Sequence, residues 1–209
     1  MKITISPHSD KKDILTLFLD EDFYKNIHVS VFGKRPTFPS VATLEEWQDI
    51  FNQYEYRCTK NYVLRRLAMQ SYYSIQLEKL LKERLVQPLT SKRIIDECIS
   101  WGYIDDQAWL DSFIRAYTSR YSKRAISLKL QAKGVPLTII QELLEKEYLP
   151  TQEPQIIKKL LQTKYRHKNF DDYKEKRKVM SALIRKGYSF EAIRCTFNQM
   201  GVKEDCELS

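Results

Sequence analysis

The chain has 209 residues, 43% of them hydrophobic and only five of them glycine, so it can bury a core and extensive disorder is excluded. Its 35 basic and 27 acidic residues give a net charge of +8, which favours polyanionic or acidic partners. No apolar run reaches the ~20 residues of a membrane span and no leader-type apolar stretch opens the sequence, so we expect a cytoplasmic protein without membrane contacts.

The first forty residues predict a small β element. Runs of β-branched and aromatic residues occur at Lys2–Ser6, Ile14–Asp20 and Asn26–Phe32, and turn-forming residues separate them. A hairpin or meander of two or three strands needs a cover on one face. We expect the following helices to provide that cover.

From Thr43 onward the pattern changes to a helical period, and no further strand is predicted. Thr43 and Glu46 form a capping box, and apolar residues then recur at helical spacing as far as Tyr54. The later helical segments are predicted at about 58–70, 74–85, 90–101, 106–119, 122–133, 136–147, 153–167, 173–186 and 189–200.

The helical part contains an internal repeat. Residues 126–140 (ISLKLQAKGVPLTII) and 179–193 (VMSALIRKGYSFEAI) share apolar positions and a Lys-Gly pair, 53 residues apart, and a looser copy begins near Tyr73. Repeats of about this length are typical of stacked helical units. We predict that Gly134 and Gly187 end one helix in the left-handed conformation before the next helix begins.

Asp105 and Asp106 look like a catalytic carboxylate pair, but sequence neighbours on a helix point about 100° apart and do not face each other. We predict that Asp105 caps the helix that follows and that Asp106 interacts favourably with its dipole. Asp171 and Asp172 repeat the same pattern. A metal-dependent nuclease that uses Asp105, Asp106 and Asp111 is the alternative.

Other motifs for catalysis or cofactor binding are missing from the sequence. It has no phosphate-binding glycine loop, no nucleophile elbow and no paired metal ligands. The sequence thus gives no positive indication of catalysis, and we predict that the protein needs no cofactor or metal. The cysteines are interpreted as reduced thiols and the histidines as surface or packing residues; they are Cys58, Cys98, Cys195, Cys206, His8, His28 and His167.

Basic residues provide the positive signal. Residues 112–141 and 155–170 contain no acid, and in the first span Phe113, Tyr117 and Tyr121 recur every four residues. A solvated helix face normally mixes charge signs, so spans of one sign favour a polyanion or an acidic partner. Solvated faces and a core role for the aromatic residues are the plainer alternatives. The predicted binding residues are Arg115, Arg120, Lys123, Arg124, Lys129, Lys133, Lys158, Lys159, Lys164, Arg166 and Lys168.

Three motifs in this order resemble the RecX family of bacterial recombination regulators: GYIDDQAW at 102–109, RAISLKLQAKGV at 124–135 and LIRKGYSFEAI at 183–193. The likeness departs in the first helical unit, where Glu83-Arg84-Leu85 stands in place of Lys-Gly. It implies a mainly α fold of tandem three-helix repeats in an elongated, curved array. We expect a β element at 1–40, helical units at 41–102, 103–150 and 151–201, and a tail at 202–209.

The resemblance also implies a regulator that lies in the groove of the RecA recombinase filament, a protein assembly with bound single-stranded DNA. It would modulate strand exchange, ATP hydrolysis and coprotease activity, with inhibition as the expected direction, and so act in homologous recombination, DNA repair and the SOS response. The resemblance further implies that the protein itself is not an enzyme, which agrees with the missing catalytic motifs. We expect a monomer. The alternative is an autonomous nucleic-acid binder, because small three-helix units can present a helix to a groove. The residues leave open whether contacts are mainly to the recombinase or to DNA.

Overall fold

In a computed structural model of the protein, residues 1–149 and 152–202 are described. Within them a three-stranded antiparallel sheet precedes a series of helices, which confirms the predicted mainly α fold with a small N-terminal β element. None of the described helices combines the length and apolar character that crossing a membrane requires. The elements are β1 (Ile3–Pro7), β2 (Ile14–Leu19), β3 (Asp22–His28), α1 (Val29–Phe32), α2 (Leu44–Met69), α3 (Ser74–Glu83), α4 (Pro88–Ser100), α5 (Asp106–Tyr117), α6 (Lys123–Ala132), α7 (Leu137–Glu147), α8 (Gln152–Thr163), α9 (Tyr173–Arg185) and α10 (Phe190–Gln199).

The chain forms two compact units. The N-terminal unit comprises Met1–Trp109, and the C-terminal unit begins at Leu110. The first contains the sheet and α1–α4, and the second contains α6–α10. Of the predicted tail, residues 203–209 lie outside the described residues, as does Cys206.

The sheet has the order β1-β2-β3. Asp20 and Glu21 join β2 to β3, and both have positive φ, 47° and 76°, as a two-residue hairpin turn requires. The third strand therefore begins at Asp22, earlier than the sequence pattern predicts. It ends at His28, whose Nδ1 accepts the Ser30 amide hydrogen at 3.0 Å, so that 29–32 form a short helix and not the end of a strand.

The following helices cover one face of the sheet, as predicted. Leu17 and Ile27 are fully buried and belong to the same core as Trp47 and Phe51 of α2. The Tyr24 and Trp47 rings form a T-shaped contact with their centroids 5.7 Å apart. Burial of large aromatic rings against the sheet stabilises this small β element, which could not be stable alone.

Helix α2 is a single helix of 26 residues, where the sequence pattern predicts two segments. Thr43 caps it as expected, accepting the Glu46 amide hydrogen at 3.2 Å. The apparent interruption is Glu55, a charged residue on the buried face of the helix. Its carboxylate is fully buried and binds Lys25 Nζ and Thr90 Oγ1, each at 2.9 Å. Because the charge is paired, it does not break the helix.

One turn recurs between the paired helices of the repeat. Gly134 and Gly187 have φ of 87° and 86°, as predicted, and the next amide donates to a carbonyl five residues earlier. This is the Schellman arrangement of a helix C-terminus. Leu85 holds the equivalent place in the first copy and adopts φ of 59° without being glycine. The backbone geometry is thus kept where the sequence signal is lost.

Candidate partner-binding surface

All eleven predicted binding residues lie in the C-terminal unit, and most are exposed. Arg115 is on α5, and Arg120 is in the turn before α6. Lys123, Arg124 and Lys129 are on α6, and Lys133 is its C-cap. Lys158 and Lys159 are on α8, and Lys164, Arg166 and Lys168 follow it.

The aromatic row leads from the core to the surface. Phe113 and Tyr117 are stacked with ring centroids 4.2 Å apart, and the Tyr121 centroid lies 5.2 Å from that of Tyr117. Phe113 is buried, whereas Tyr121 is 36% exposed. Lys129 Nζ lies 4.8 Å from the Tyr121 centroid and 5.5 Å from that of Tyr117. The row is therefore part of the packing, and Lys129 is held by cation–π contacts.

Helix α6 distributes its cations over two sides. At 3.6 residues per turn, Lys123 and Lys129 lie ~120° apart around the helix. The fully buried Ile126 and Leu130 occupy the sector between them. Lys123 and Arg124 thus flank the core on one side, and Lys129 flanks it on the other. The first acid-free span does not form one continuous face.

The second acid-free span is partly engaged by neighbours. Lys168 forms an ion pair with Glu175 Oε1 at 3.0 Å. The Asn169 amide and the Lys168 ammonium together lower the pKa of Glu175. Arg166 Nε donates to His167 Nε2 at 2.8 Å. Lys158 and Lys159 remain exposed on α8, beside the buried pair at 156–157.

A basic stripe on α9 was not predicted from the sequence. It consists of Lys174, Arg177, Lys178 and Arg185, all exposed. Their spacing places them along one side of the helix, opposite the buried Val179 and Leu183 side. Within residues 1–149 and 152–202 none of the four forms an ion pair with a carboxylate. Glu175 separates Lys174 from the other three, which lie in a further stretch without acids, 176–190, and the helical period brings all four onto one side.

A single carboxylate connects two helix starts inside the C-terminal unit. Glu153 Oε1 accepts the Lys123 amide hydrogen of α6 at 3.3 Å, and Glu153 Oε2 accepts the Ser189 amide hydrogen before α10 at 3.4 Å. Burial, followed by the charge of Glu153, raises the pKa of Tyr188 to about 12. Ser122, the N-cap of α6, donates its hydroxyl hydrogen to the Lys186 carbonyl at 2.8 Å. These bonds fix α6 relative to the α9–α10 turn.

A groove of about 850 Å³ lies beside this junction. Lys123 and Arg124 line one side, and Ile140, Leu144 and Ile184 contribute apolar surface. Two of the predicted cations therefore stand at the edge of a concave surface, where a partner would contact both charge and apolar area.

The two adjacent aspartates cap two different helices. Asp105 Oδ1 accepts the Ala108 amide hydrogen at 2.9 Å and caps α5, as predicted. Asp106 binds the start of α3, accepting the Ser74 amide hydrogen at 2.7 Å and the Ser74 hydroxyl hydrogen at 2.5 Å. Asp172 caps α9 through the Lys174 amide. Among the described residues no group of three or more His, Cys, Asp or Glu side chains is arranged to hold a metal ion.

The histidines and described cysteines have structural surroundings. His8 Nδ1 accepts the Asp10 amide hydrogen at 3.1 Å, and His28 caps α1. Burial, followed by the nearby Arg84, lowers the pKa of His28. Cys58, Cys98 and Cys195 are free thiols.

Comparison with known proteins gives consistent matches. A model of the RecX third three-helix domain matches residues 151–197. The regulatory protein RecX of Staphylococcus epidermidis is 24% identical over 99% of this chain and 78% of its own length. That of Mycobacterium leprae is 30% identical over 60% of this chain and 75% of its own length. The chain spans just under two thirds of several streptococcal relatives, 64–65%.

A solved structure shows the same fold. A crystal structure of regulatory protein RecX superposes with a TM-score of 0.60 at 20% identity, covering 94% of this chain and 98% of the other. At this level of identity the likeness concerns the fold.

Proposed function

The chain belongs to the RecX family of regulatory proteins, and we propose that it binds the RecA recombinase nucleoprotein filament and restrains its recombinase, ATPase and coprotease activities. The observation that carries the proposal is the set of exposed cations on the C-terminal unit, which suits a filament of protein and DNA. In this proposal α2–α4, α5–α7 and α8–α10 act as three-helix units. The family-model match over α8–α10 supports the last of them.

Lys123 and Arg124 are the best-placed predicted contacts, because both are exposed, adjacent and at the edge of the groove. Charge complementarity at such a surface steers association and makes it sensitive to salt. Replacing both residues with glutamate reverses the charge at two points. We expect the variant to associate with the filament much more weakly, most clearly at low ionic strength.

The test is a titration of recombinase ATPase activity and strand exchange with the wild type and with Lys123→Glu/Arg124→Glu. The matched control is Lys11→Glu/Lys12→Glu, which makes the same charge change at exposed positions of the N-terminal unit. Thermal melts establish that all three proteins are folded. Equal potency of the folded groove variant and the control would remove Lys123 and Arg124 from the contact surface. A folded wild type with no effect on the recombinase would refute the proposed function.

Autonomous binding to nucleic acid is the second candidate, and the basic stripe on α9 favours it. Four exposed cations along a helix of 13 residues span roughly 16 Å, enough to approach several backbone phosphates. No base-reading pattern accompanies them, so the contacts would be independent of sequence.

Salt dependence tests this second candidate. Replacing Lys174, Arg177, Lys178 and Arg185 with glutamine should flatten the log–log salt slope for naked single-stranded DNA by up to ~0.7 per lost contact. The control removes four charges elsewhere, at Lys11, Lys12, Lys34 and Arg35. Strong binding to naked DNA that only the stripe variant loses would support this candidate. Identical slopes for both variants would exclude the stripe as its binding site.

A further inference from the structure

The N-terminal unit exposes an aromatic cluster that none of the roles described above requires. Trp101 and Tyr103 follow α4 and are 47% and 58% exposed. Their rings meet edge to face, with centroids 5.9 Å apart and planes inclined at 68°. Ile99, two residues earlier, is 46% exposed. Tryptophan and tyrosine are enriched among the few residues that contribute most of the binding energy of protein interfaces.

The backbone that carries these rings is rigid. Gly102 has φ of 72°, and the amides of Tyr103 and Ile104 both donate to the Cys98 carbonyl, at 2.8 and 3.2 Å. Ile104 is 3% exposed and anchors the turn in the core. Asp105 then caps α5. The two rings therefore project from a turn that is fixed on both sides.

A polar network fixes the tryptophan ring itself. Lys60 Nζ lies 4.3 Å from the Trp101 centroid and is held by the Tyr56 hydroxyl at 3.0 Å and by Glu97 Oε2 at 3.2 Å. Arg93 binds the other oxygen of Glu97 at 3.2 Å. A surface that is ordered before binding loses less conformational entropy when a partner docks.

Charge and geometry indicate the chemistry of the occupant. Lys60 and Arg93 both pair with Glu97, at 3.2 Å each, so their charge toward a phosphate is partly neutralised. One neighbour of the Trp101 ring is the Lys60 ammonium and another is the Tyr103 ring, inclined at 68°, so the pair offers no parallel slot in which a base could intercalate. Two cations and one carboxylate leave a shielded net charge of +1, which suits a protein surface with apolar and acidic side chains.

We propose that Trp101 and Tyr103 form the contact of this chain with the protein component of the recombinase filament. The inference rests on the proposed function and assigns it a second surface, distinct in chemistry from the cations of the C-terminal unit. Aromatic contact depends on buried apolar area, so it should resist salt. Binding through Lys123 and Arg124 should instead weaken as the salt concentration rises.

The experiment is co-sedimentation with preformed recombinase filaments at low and at physiological ionic strength. Trp101→Ala/Tyr103→Ala should weaken filament binding about tenfold or more at both ionic strengths and leave binding to naked single-stranded DNA unchanged. The control is Met69→Ala/Leu89→Ala, which removes two more exposed apolar side chains, 78% and 82% exposed, from the same unit. Tyr103→Ala alone leaves the Lys60–Glu97 network intact and guards against loss of folding.

The results distinguish a failure of this inference from a failure of the proposed function. Wild-type filament affinity in a folded Tyr103→Ala variant and in the double variant would overturn the inference while leaving the proposed function in place. An equal loss of filament affinity in the Met69→Ala/Leu89→Ala control would overturn the inference as well, because any exposed apolar side chain would then have the same effect. A parallel loss of binding to naked DNA would replace protein contact with base stacking. Wild-type protein that fails to sediment with filaments would overturn both the inference and the proposed function.

Discussion

Substitution of Gly187 by alanine should destabilise the C-terminal unit by more than the usual penalty for a left-handed residue. Gly187 has φ of 86°, and a Cβ built there would lie 2.8 Å from Ser122 Oγ and 3.1 Å from Arg124 Cβ. Ser122 is fully buried; its hydroxyl donates to the Lys186 carbonyl and accepts the Ala125 amide hydrogen. The new methyl group must displace this hydroxyl.

The magnitude has two parts. A left-handed alanine costs about 1–2 kcal/mol, and disturbing a buried hydroxyl with two hydrogen bonds costs about 1–3 kcal/mol. Gly187→Ala should therefore lower the free energy of unfolding by ~2–5 kcal/mol. Gly201→Ala is the control in the same unit, because Gly201 has φ of 75° and no atom of the described residues lies within 4 Å of a built Cβ. Gly201→Ala should lose only the free energy that the left-handed conformation of alanine costs.

The measurement is chemical denaturation of both variants and of Ser122→Ala/Gly187→Ala. Removing the Ser122 hydroxyl makes room for the methyl group, so a double-mutant cycle should show a favourable coupling. Equal destabilisation by Gly187→Ala and Gly201→Ala, with no coupling, would refute the close approach of the two helix ends.

The helix caps give a second prediction. Asp105→Ala should lower the free energy of unfolding by about 1 kcal/mol, and Asp105→Asn should change it little. Regulatory activity should survive both changes at temperatures where the variants are folded. Asp106→Ala should lower the free energy of unfolding by more, about 1–3 kcal/mol, because the Ser74 amide and hydroxyl both lose their acceptor. Urea titrations in which Asp105→Ala is the less stable variant would contradict this prediction. Leu85→Gly should stabilise the N-terminal unit by up to about 1 kcal/mol, since Leu85 has φ of 59° and a partly exposed side chain; a lower melting temperature would show that its packing outweighs its strain. Tyr188 has a pKa raised to about 12 in the folded protein, so between pH 10 and 12 the unfolded chain binds fewer protons and stability must fall as pH rises. Tyr188→Phe should show a shallower alkaline loss in melts from pH 9 to 12, and an unchanged pH profile would argue against this assignment.

The sequence predicts well those features that are encoded locally. The capping box at Thr43, the N-cap at Asp105 and the left-handed residues Gly134 and Gly187 each depend on a few neighbouring side chains. The capping residues before a helix and the glycine after a helix each specify the backbone geometry at their own position. Their positions could therefore be read without knowledge of the tertiary structure.

The features that sequence analysis missed depend on distant partners. Glu55 suggests a break in α2 because its counter-charge, Lys25, lies 30 positions away on the sheet. Asp106 reaches Ser74, 32 positions earlier, a contact that no local pattern reports. Leu85 adopts the left-handed conformation because the rest of the turn is in place, with the Val86 amide bonded to the Leu81 carbonyl. In each case tertiary contacts outweigh local preference.

The binding role of the eleven predicted cations stays a prediction, and the structure shows only how these side chains are placed. Absence of acids along the chain is a one-dimensional criterion, whereas a binding face follows the helical period. It therefore included Lys168, which pairs with Glu175, and Lys129, which lies over tyrosine rings. The helical period instead groups Lys174 with Arg185 on the outer side of α9, although Glu175 lies between them in the sequence.

The position of Glu153 limits the manner in which the C-terminal unit can recognise a polyanion. Amide donors at a helix start form a rigid cradle that fixes a phosphate in one place. Here Ser122, Ser189 and Glu153 already accept from amides at the starts of α6 and α10. At these two helix starts a phosphate or carboxylate partner is left with long, mobile lysine and arginine side chains. Such contacts tolerate shifts of several ångströms, so a polyanion bound at this place would not be held in a single register.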